Sequence, residues 1–180
     1  MAKSDELWVF GYGSLIFDPE MEVAEARRAT LHGFRRRFCM WSIHHRGSED
    51  EPGLVLALEP HEGGTCEGMA FRAADPVPAL QALRARELVS SAYHERTLTL
   101  RQAEGGTLDA IGYVVDTAHR QYVPDLSLDQ QAEIIARARG DRGPNHEYLM
   151  RTADGLREAG MADPDLDRLV ARVQQVRDAA

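Results

Sequence analysis

Alternating and continuous apolar segments divide the first part of the chain into predicted strands. Residues 7–10 are apolar or aromatic throughout, which indicates a buried strand. Residues 29–41 alternate roughly between apolar and polar side chains and predict one or two further strands. Residues 54–59 and 66–72 predict two more, separated by a turn at residues 61–64 that contains two glycines.

Two later segments complete the predicted strands, and turn residues between segments mark the first helices. Residues 95–101 and 107–115 alternate well and predict a hairpin across a pair of adjacent glycines. Residues 19–28 follow an aspartate, which suits the N-cap of a short helix. A second helix is predicted to begin at Asp75, because this acidic N-cap residue is followed by proline.

The last third of the chain carries helix signals. A serine–glutamine capping box precedes a predicted helix over residues 128–137. Asn145 is predicted to cap a helix that ends near Gly160, and Asp163 followed by proline opens a last amphipathic helix. We therefore expect an α+β protein of about six strands and five helices, with a helical C-terminal segment from about residue 127.

Bulk composition narrows the class of protein. The 180 residues are enough for one hydrophobic core, so a single domain over residues 1–180 is expected. No run approaches the ~20 consecutive apolar residues of a membrane helix, and the polar start has no signal-peptide core. The net charge of −8 argues against nucleic-acid binding, which depends on a basic surface.

The two cysteines indicate the compartment. Cys39 and Cys66 both lie in predicted strands and are interpreted as buried free thiols in a reducing environment. A cytoplasmic protein is therefore expected.

A glycine-containing loop directly after the first strand is the first candidate site. Gly11 and Gly13 can adopt positive φ, which would let a ligand approach the main chain closely. Backbone N–H groups gathered in such a loop suit a carboxylate or a developing oxyanion. The alternative is a tight turn whose glycines only relieve strain. The loop lacks the spaced glycines of a dinucleotide site and the Gly-Lys-Ser/Thr of a phosphate loop.

Glu87 is the second candidate, because of its place on the helix that begins at Asp75. At about 100° per residue, Glu87 falls between Leu80 and Leu83, inside the apolar arc of that helix. Loss of hydration there favours the neutral carboxyl, so its pKa is expected to rise towards the range that suits proton transfer. Arg84 shares the arc; it either extends its charged end to water or pairs with Glu87 and opposes that rise.

Several basic residues lie outside these two sites. His44 and His45 open a polar segment over residues 44–53 that is expected to be a mobile surface loop. No further ligands stand at a supporting spacing, so no metal is expected. Arg46 either binds a substrate carboxylate through both guanidinium nitrogens or is an exposed loop arginine. The basic run at residues 35–37 predicts a solvated strand edge.

Four separated motifs resemble, in the same order, those of the ChaC-type γ-glutamylcyclotransferases. They are VFGYGSLI at residues 9–16, His-Arg-Gly at 45–47 followed by Pro-Gly, Arg-Glu-Leu at 86–88 followed by Ser-Ala-Tyr, and Gly-Pro-Asn at 143–145 followed by Glu-Tyr-Leu. The resemblance extends over residues 8–149, most of the chain. Two positions depart from the pattern: His44 stands where an aspartate precedes His45, and Ala92 where a glycine precedes Tyr93.

The resemblance implies a small mixed β-barrel flanked by helices, and an enzyme that converts glutathione to 5-oxoproline and cysteinylglycine without a metal or organic cofactor. It implies that Glu87 is the catalytic general base. Arg46, Tyr93 and Tyr148 are further candidates for substrate contact, with packing on a helix face as the alternative for Tyr148. The implied substrate-binding residues of the loop are Gly11, Tyr12, Gly13, Ser14, Leu15 and Ile16.

Two other functions are compatible with the same motifs. One is a cyclotransferase for other γ-glutamyl amines or γ-glutamyl amino acids, since it would use the same loop and carboxylate. The other is a catalytically silent ligand-binding module in which Glu87 is structural. Each of these functions takes a small molecule as its partner, and neither a nucleic acid nor a membrane is expected to bind.

Overall fold

A closed barrel of five strands forms the β part of the protein. The computed structural model describes residues 6–88, 91–161 and 163–180. The barrel strands are β1 (Trp8–Gly11), β2 (Val23–Ser42), β3 (Gly53–Ala73), β4 (Tyr93–Gln102) and β5 (Thr107–Val115). Their order around the barrel is β1, β3, β2, β4, β5. β1 pairs antiparallel with β3 and parallel with β5, and the parallel pair closes the barrel.

Helices occur between the barrel strands and after them along the sequence, in agreement with the predicted α+β class. They are α1 (Ser14–Phe17), α2 (Pro76–Glu87), α3 (Leu128–Arg137), α4 (Asn145–Glu158) and α5 (Pro164–Asp178). Two short strands, β6 (Arg139–Gly140) and β7 (Gly143–Pro144), pair antiparallel between α3 and α4. About six strands were expected; the described residues contain five in the barrel and this small pair. No helix in the described ranges is long and apolar enough to span a membrane.

The chain forms two compact units. The first contains the described residues up to Arg36 together with Leu58–His119, and the second contains Arg37–Ala57 and Arg120–Ala180. In the second unit α3, α4 and α5 pack against one another. The fully buried residues of these helices include Ile135, Leu149 and Val173.

β1 is buried on both faces, which confirms the strand predicted from its continuous apolar sequence. Since neighbouring strand side chains point to opposite faces, Trp8 and Phe10 join the cluster formed with other barrel strands, including Leu58. Val9 points the other way and packs with Leu83 of α2. The strand is therefore held by packing on each side, and the loop that follows it begins from a fixed position.

The predicted helix over residues 19–28 is wrong, because β2 begins within this segment at Val23. Burial alternates along the start of β2, and Glu25 and Arg27 lie on one face with their side chains 2.7 Å apart. Glu25 also reaches Arg72 at 3.4 Å. Contacts with distant strands thus override a local preference for helix.

The predicted turn at residues 61–64 is also wrong, because β3 continues through this segment without a break. Gly63 has φ of 75°, so the glycine accommodates a local departure from extended geometry within the strand. The predicted hairpin is confirmed: β4 and β5 pair antiparallel from Tyr93 opposite Val115 to Arg101 opposite Thr107.

Three of the helices predicted from N-terminal signals begin where expected. Asp75 is the N-cap of α2 and is followed by proline. Ser127 and Gln130 form both hydrogen bonds of a capping box at α3. The side chain of Asp163 accepts from two backbone N–H groups at the start of α5.

The basic run at residues 35–37 is not a solvated strand edge. In the first unit, Arg35 binds the buried carboxylate of Glu59 at 2.7 Å, and Arg36 donates to the Tyr12 carbonyl at 2.9 Å. In the second unit, Arg37 donates to the carbonyl of Leu126 at 2.9 Å. Each arginine is half-buried and serves as an anchor, because folding brings acceptors from distant segments to it.

Asn145 does not cap α4 with its side chain as predicted; it is the first residue of the helix, and Pro144 is the N-cap. Its fully buried amide instead accepts from the Leu54 N–H and donates to the Leu54 carbonyl, both at 2.8 Å. These two hydrogen bonds have the same pattern as the backbone bonds between paired strands, and they hold the start of α4 to the start of β3. The expected helix end near Gly160 is confirmed, since α4 ends at Glu158.

Replacing Asn145 is expected to destabilise the protein strongly. Asn145→Ala leaves a buried N–H and a buried carbonyl of Leu54 without partners, which lowers the free energy of unfolding by roughly 2–4 kcal/mol. Urea denaturation measures this loss. The control is Asp141→Ala, which removes an exposed contact with His45 and should change stability by less than about 0.5 kcal/mol. Equal midpoints for the two variants would contradict this role of Asn145.

Candidate active site

The glycine loop connects β1 to the short helix α1. The Ile16 N–H donates to the Gly13 carbonyl at 2.9 Å, and the Asp18 N–H donates to the Ser14 carbonyl at 2.8 Å. Neither glycine has the positive φ that was predicted: φ of Gly13 is −149°, and φ of Gly11 also lies outside the left-handed region. Gly11 lies in close packing instead, since a Cβ there would be 3.0 Å from the ring of Phe71, which would have to shift to make room.

Arg36 determines which way the loop amides face. Its Nη1 donates to the Tyr12 carbonyl at 2.9 Å, and its Nη2 donates to the carbonyl of Glu67. Because a trans peptide group is planar, the Gly13 N–H points away from the Tyr12 carbonyl and hence away from Arg36. The N–H groups of Gly13 and Ser14 have no hydrogen-bond acceptor among the residues that the structure describes. The loop therefore keeps donors available for an anionic group.

Glu87 is the last residue of α2, and packing of this helix brings it to the loop. Leu83, one turn earlier on the same face, is fully buried against Val9, Leu15 and Tyr113. The side chain of Glu87 is 16% exposed, so the carboxylate is largely removed from water, as its position in the apolar arc predicted.

Arg86 links Glu87 to the loop. Its Nη2 donates to the Ser14 Oγ at 2.6 Å, and its Nη1 donates to the Asp18 carbonyl at 3.4 Å. Its Nη1 also lies 3.3 Å from a carboxylate oxygen of Glu20, and its Nε lies 3.6 Å from one of Glu87. One guanidinium thus joins the end of α2 to both ends of α1.

Burial raises the pKa of the Glu87 carboxyl above its usual value. The positive charge of Arg86 opposes this rise, and the negative charge of Glu20 adds to it. The predicted direction is confirmed. The predicted pairing of Arg84 with Glu87 is wrong, because Arg84 binds Glu95 through two nitrogens at 3.0 and 2.8 Å.

Tyr113 is a neighbour of Glu87 that sequence reasoning did not select. Its hydroxyl donates to Glu95 at 3.1 Å. Burial raises the pKa of Tyr113 above its usual range, and the nearby charges of Glu95 and Glu87 raise it further. The phenol therefore stays protonated. Its alternating strand pattern marked Tyr113 only as a buried strand residue, while Arg86 and Glu20 carried no periodic signal.

The three remaining candidates lie in different parts of the chain. Tyr93, the first residue of β4, packs partly buried against the cluster that contains Leu83. In the second unit, the Arg46 guanidinium lies 5.5 Å from the ring centroid of Tyr148 and donates to the Pro144 carbonyl at 3.3 Å. Arg46 is 8% exposed, so the expectation of an exposed loop arginine is wrong.

Tyr148 has a structural role within the second unit. Its hydroxyl accepts from the Leu56 N–H at 3.2 Å, and its ring meets Phe38 edge-on with centroids 5.8 Å apart. These contacts match the predicted packing role and leave substrate contact by Tyr148 as a prediction. No group of three or more His, Cys, Asp or Glu side chains arranged to hold a metal occurs within the described residues.

Comparison with known proteins identifies the family. A family model described as ChaC-like protein matches residues 7–176. An Escherichia coli (strain K12) protein named glutathione-specific gamma-glutamylcyclotransferase is 34% identical over 172 residues, which cover 94% of this chain and 74% of that protein. A Homo sapiens protein named glutathione-specific gamma-glutamylcyclotransferase 1 is 35% identical over 175 residues, covering 94% of this chain and 78% of its own.

A solved structure shares the fold. The crystal structure of a yeast gamma-glutamyl cyclotransferase specific to glutathione matches with a TM-score of 0.87 over 98% of this chain and 99% of that chain. Its sequence identity is 22%, so this likeness concerns the fold alone. The extent of the family match and the identities above 30% to both similar proteins lead to one conclusion: the chain belongs to the ChaC-like protein family.

Proposed function

We propose that the protein is a γ-glutamylcyclotransferase that converts glutathione to 5-oxoproline and cysteinylglycine. The observation that carries this proposal is a buried carboxylate of raised pKa, Glu87, held next to a glycine loop by Arg86. The similar Escherichia coli and human proteins are named as glutathione-specific enzymes of this type.

The reaction is an internal aminolysis. The α-amino group of the γ-glutamyl residue attacks its own γ-carbonyl carbon, a five-membered lactam closes, and the amide bond to cysteine breaks. Because nucleophile and carbonyl belong to one molecule, the substrate already supplies much of the proximity effect, which elsewhere reaches ~7–11 kcal/mol. What the protein must supply is the folded substrate conformation and the proton transfers.

Glu87 is the general base of this proposal. The α-amino group is mostly an ammonium at neutral pH, and it becomes a nucleophile only after losing a proton. A carboxylate whose pKa is raised by burial accepts that proton more readily than an exposed glutamate does. The protonated Glu87 then passes the proton to the nitrogen of the departing cysteinylglycine, so the carboxylate is regenerated. The ring nitrogen still carries two hydrogens after the attack, so it loses a second proton to solvent, and the departing amine takes up a second proton and leaves as an ammonium.

The loop over residues 11–16 is the proposed binding site for the γ-glutamyl group. The N–H groups of Gly13 and Ser14 suit either its α-carboxylate or the oxyanion that develops on the γ-carbonyl. Arg36 supports this role, since its bond to the Tyr12 carbonyl keeps the loop peptides in one orientation. No step of the proposed reaction needs a metal or an organic cofactor.

Residues 1–180 act as one γ-glutamylcyclotransferase-like domain in this proposal. The family match supports it, because it extends over residues 7–176 and so includes parts of both units. A cytoplasmic location belongs to the same proposal. Cys39 and Cys66 are both buried and are not joined in a disulfide, which is in keeping with a reducing compartment.

Glu87→Gln is expected to abolish most of the activity. Glutamine keeps the size of the side chain but cannot accept the ammonium proton, so kcat falls by ~10²–10⁴-fold. KM rises less, because the loop still holds the γ-glutamyl group. Incubation of each protein with glutathione and mass analysis of 5-oxoproline and cysteinylglycine measures the change. Near-normal turnover by the variant would mean that Glu87 is structural and that another group is the base. Absence of 5-oxoproline from the wild type would favour a silent binding module.

Thermal denaturation supplies the control for this variant. A carboxyl whose pKa is raised on folding stabilises the folded state at low pH, and this contribution is lost as pH rises through the folded pKa. Glutamine avoids the buried charge, so the Tm of Glu87→Gln should be no lower than that of the wild type, and relatively highest above the Glu87 pKa. A large drop in Tm would mean that Glu87 stabilises the fold by an ion pair.

The pH dependence of kcat follows from the same carboxyl. Activity requires ionised Glu87, so it is lost as pH falls through the Glu87 pKa. Since burial raises that pKa, the acidic limb of the kcat profile should lie at higher pH than the titration of an exposed glutamate. A limb at the ordinary glutamate value would contradict the buried base.

Substrate selectivity separates the proposed enzyme from a broader cyclotransferase. We expect a much higher kcat/KM for glutathione than for γ-glutamylalanine, because the similar proteins are named as glutathione-specific and the matched motifs extend along the chain. The assay is 5-oxoproline formation from each substrate. Comparable values would favour the enzyme for other γ-glutamyl compounds.

A further inference from the structure

Glu20 lies beside the proposed base although it belongs to neither the glycine loop nor α2. Its carboxylate Oε1 is 3.3 Å from Nη1 of Arg86, and its side chain is 41% exposed. Its φ is 54°, in the left-handed region that residues other than glycine rarely occupy. A backbone outlier of this kind is maintained only when surrounding contacts hold it, and such outliers occur preferentially at functional sites.

Arg86 stands between two carboxylates. Glu20 approaches its Nη1 at 3.3 Å and Glu87 approaches its Nε at 3.6 Å. The remaining donors of the guanidinium are directed to the Ser14 Oγ and the Asp18 carbonyl. The cation is thus fixed in place, and its positive charge is shared between an exposed carboxylate and a buried one.

This sharing has a consequence for the buried carboxylate. If Glu87 faced Arg86 alone, the adjacent positive charge would stabilise its ionised form and make it a weaker base. A second negative charge on the far side of Arg86 offsets this effect. Both Arg86 and Glu87 are mostly buried, so water screens these interactions only in part.

We propose that Glu20 is a positioning residue for the reaction: its carboxylate holds Arg86 and takes up part of its charge, so that Glu87 remains a strong enough base to deprotonate the substrate ammonium. The inference rests on the proposed function. It assigns to Glu20 no contact with substrate, since it acts through Arg86.

Few other groups act on Glu87, so the effect of Glu20 can be isolated. Among the described residues, Arg86 acts from α2, Glu20 from the segment after α1, and Tyr113 from β5. Arg84 and Glu95 bind each other next to Tyr113. The side chains that β1 and α1 contribute to the packed cluster are apolar.

The test compares Glu20→Gln with Arg86→Gln. Glu20→Gln keeps the length of the side chain and leaves the rest of the chain unaltered, but it removes the charge. The pKa of Glu87 should therefore fall, and the acidic limb of the kcat profile should move to lower pH. Plateau kcat should fall about two- to fivefold, the factor that corresponds to one partly exposed ion pair, with KM nearly unchanged. Arg86→Gln should move the limb in the opposite direction, to higher pH.

A direct titration makes the test independent of turnover. The side-chain carboxyl of Glu87 is followed by carbon-13 NMR in protein labelled with carbon-13 glutamate, and its signal is assigned by its loss in Glu87→Gln. The matched control is Glu22→Gln, which removes the same charge two residues further along the chain. The Glu22 side chain is exposed and forms no ion pair among the described residues. Glu20→Gly repeats the charge removal in a residue that adopts positive φ without strain.

The outcomes separate the two proposals. A Glu87 titration that moves to lower pH in Glu20→Gln and Glu20→Gly, but not in Glu22→Gln, supports the role of Glu20. A Glu87 titration that is unchanged or moves to higher pH in both Glu20 variants overturns it, even if glutathione is converted. A wild-type protein that makes no 5-oxoproline overturns the proposed function, while the NMR titration still decides whether Glu20 acts on Glu87.

Discussion

The Arg86 guanidinium is the interaction on which the arrangement of the candidate site depends. Its planar set of donors reaches Ser14 in the glycine loop, the carbonyl of Asp18, and carboxylates on both sides. A lysine would offer a point charge without this fixed fork. The loop and the end of α2, which carries the buried carboxylate of Glu87, are therefore held together by one side chain.

Packing around β1 provides the rigid frame for that arrangement. The strand is buried on both faces, with Phe10 in the barrel cluster and Val9 against Leu83 of α2. Loops that bind ligands are most useful when a rigid scaffold positions them. Here the scaffold fixes where the loop begins and where the helix ends, and Arg86 connects the two.

The carboxylate at the centre of the site works against stability. Burial opposes ionisation of Glu87, and the charges of Arg86 and Glu20 adjust this penalty in opposite directions. Glu20 adds a second local cost, because its φ of 54° lies in the left-handed region that residues other than glycine rarely occupy. Functional sites commonly keep such local costs, which the rest of the fold must offset. A barrel and a packed helix give this site the support that it needs.

The sequence by itself determined the features that depend on local spacing. The apolar run of β1 and the glycine loop after it are evident from the residue types, and the place of Glu87 on the inner face of α2 follows from the helical period of about 3.6 residues. Only the tertiary structure decided which partners these residues meet. In the structure β2 begins within residues 19–28, where a helix was predicted, and Arg84 binds Glu95. The side chain of Asn145 is hydrogen-bonded to the backbone of Leu54. The physical reason is that these partners lie 11 to 91 residues apart in sequence, and only folding brings such groups together.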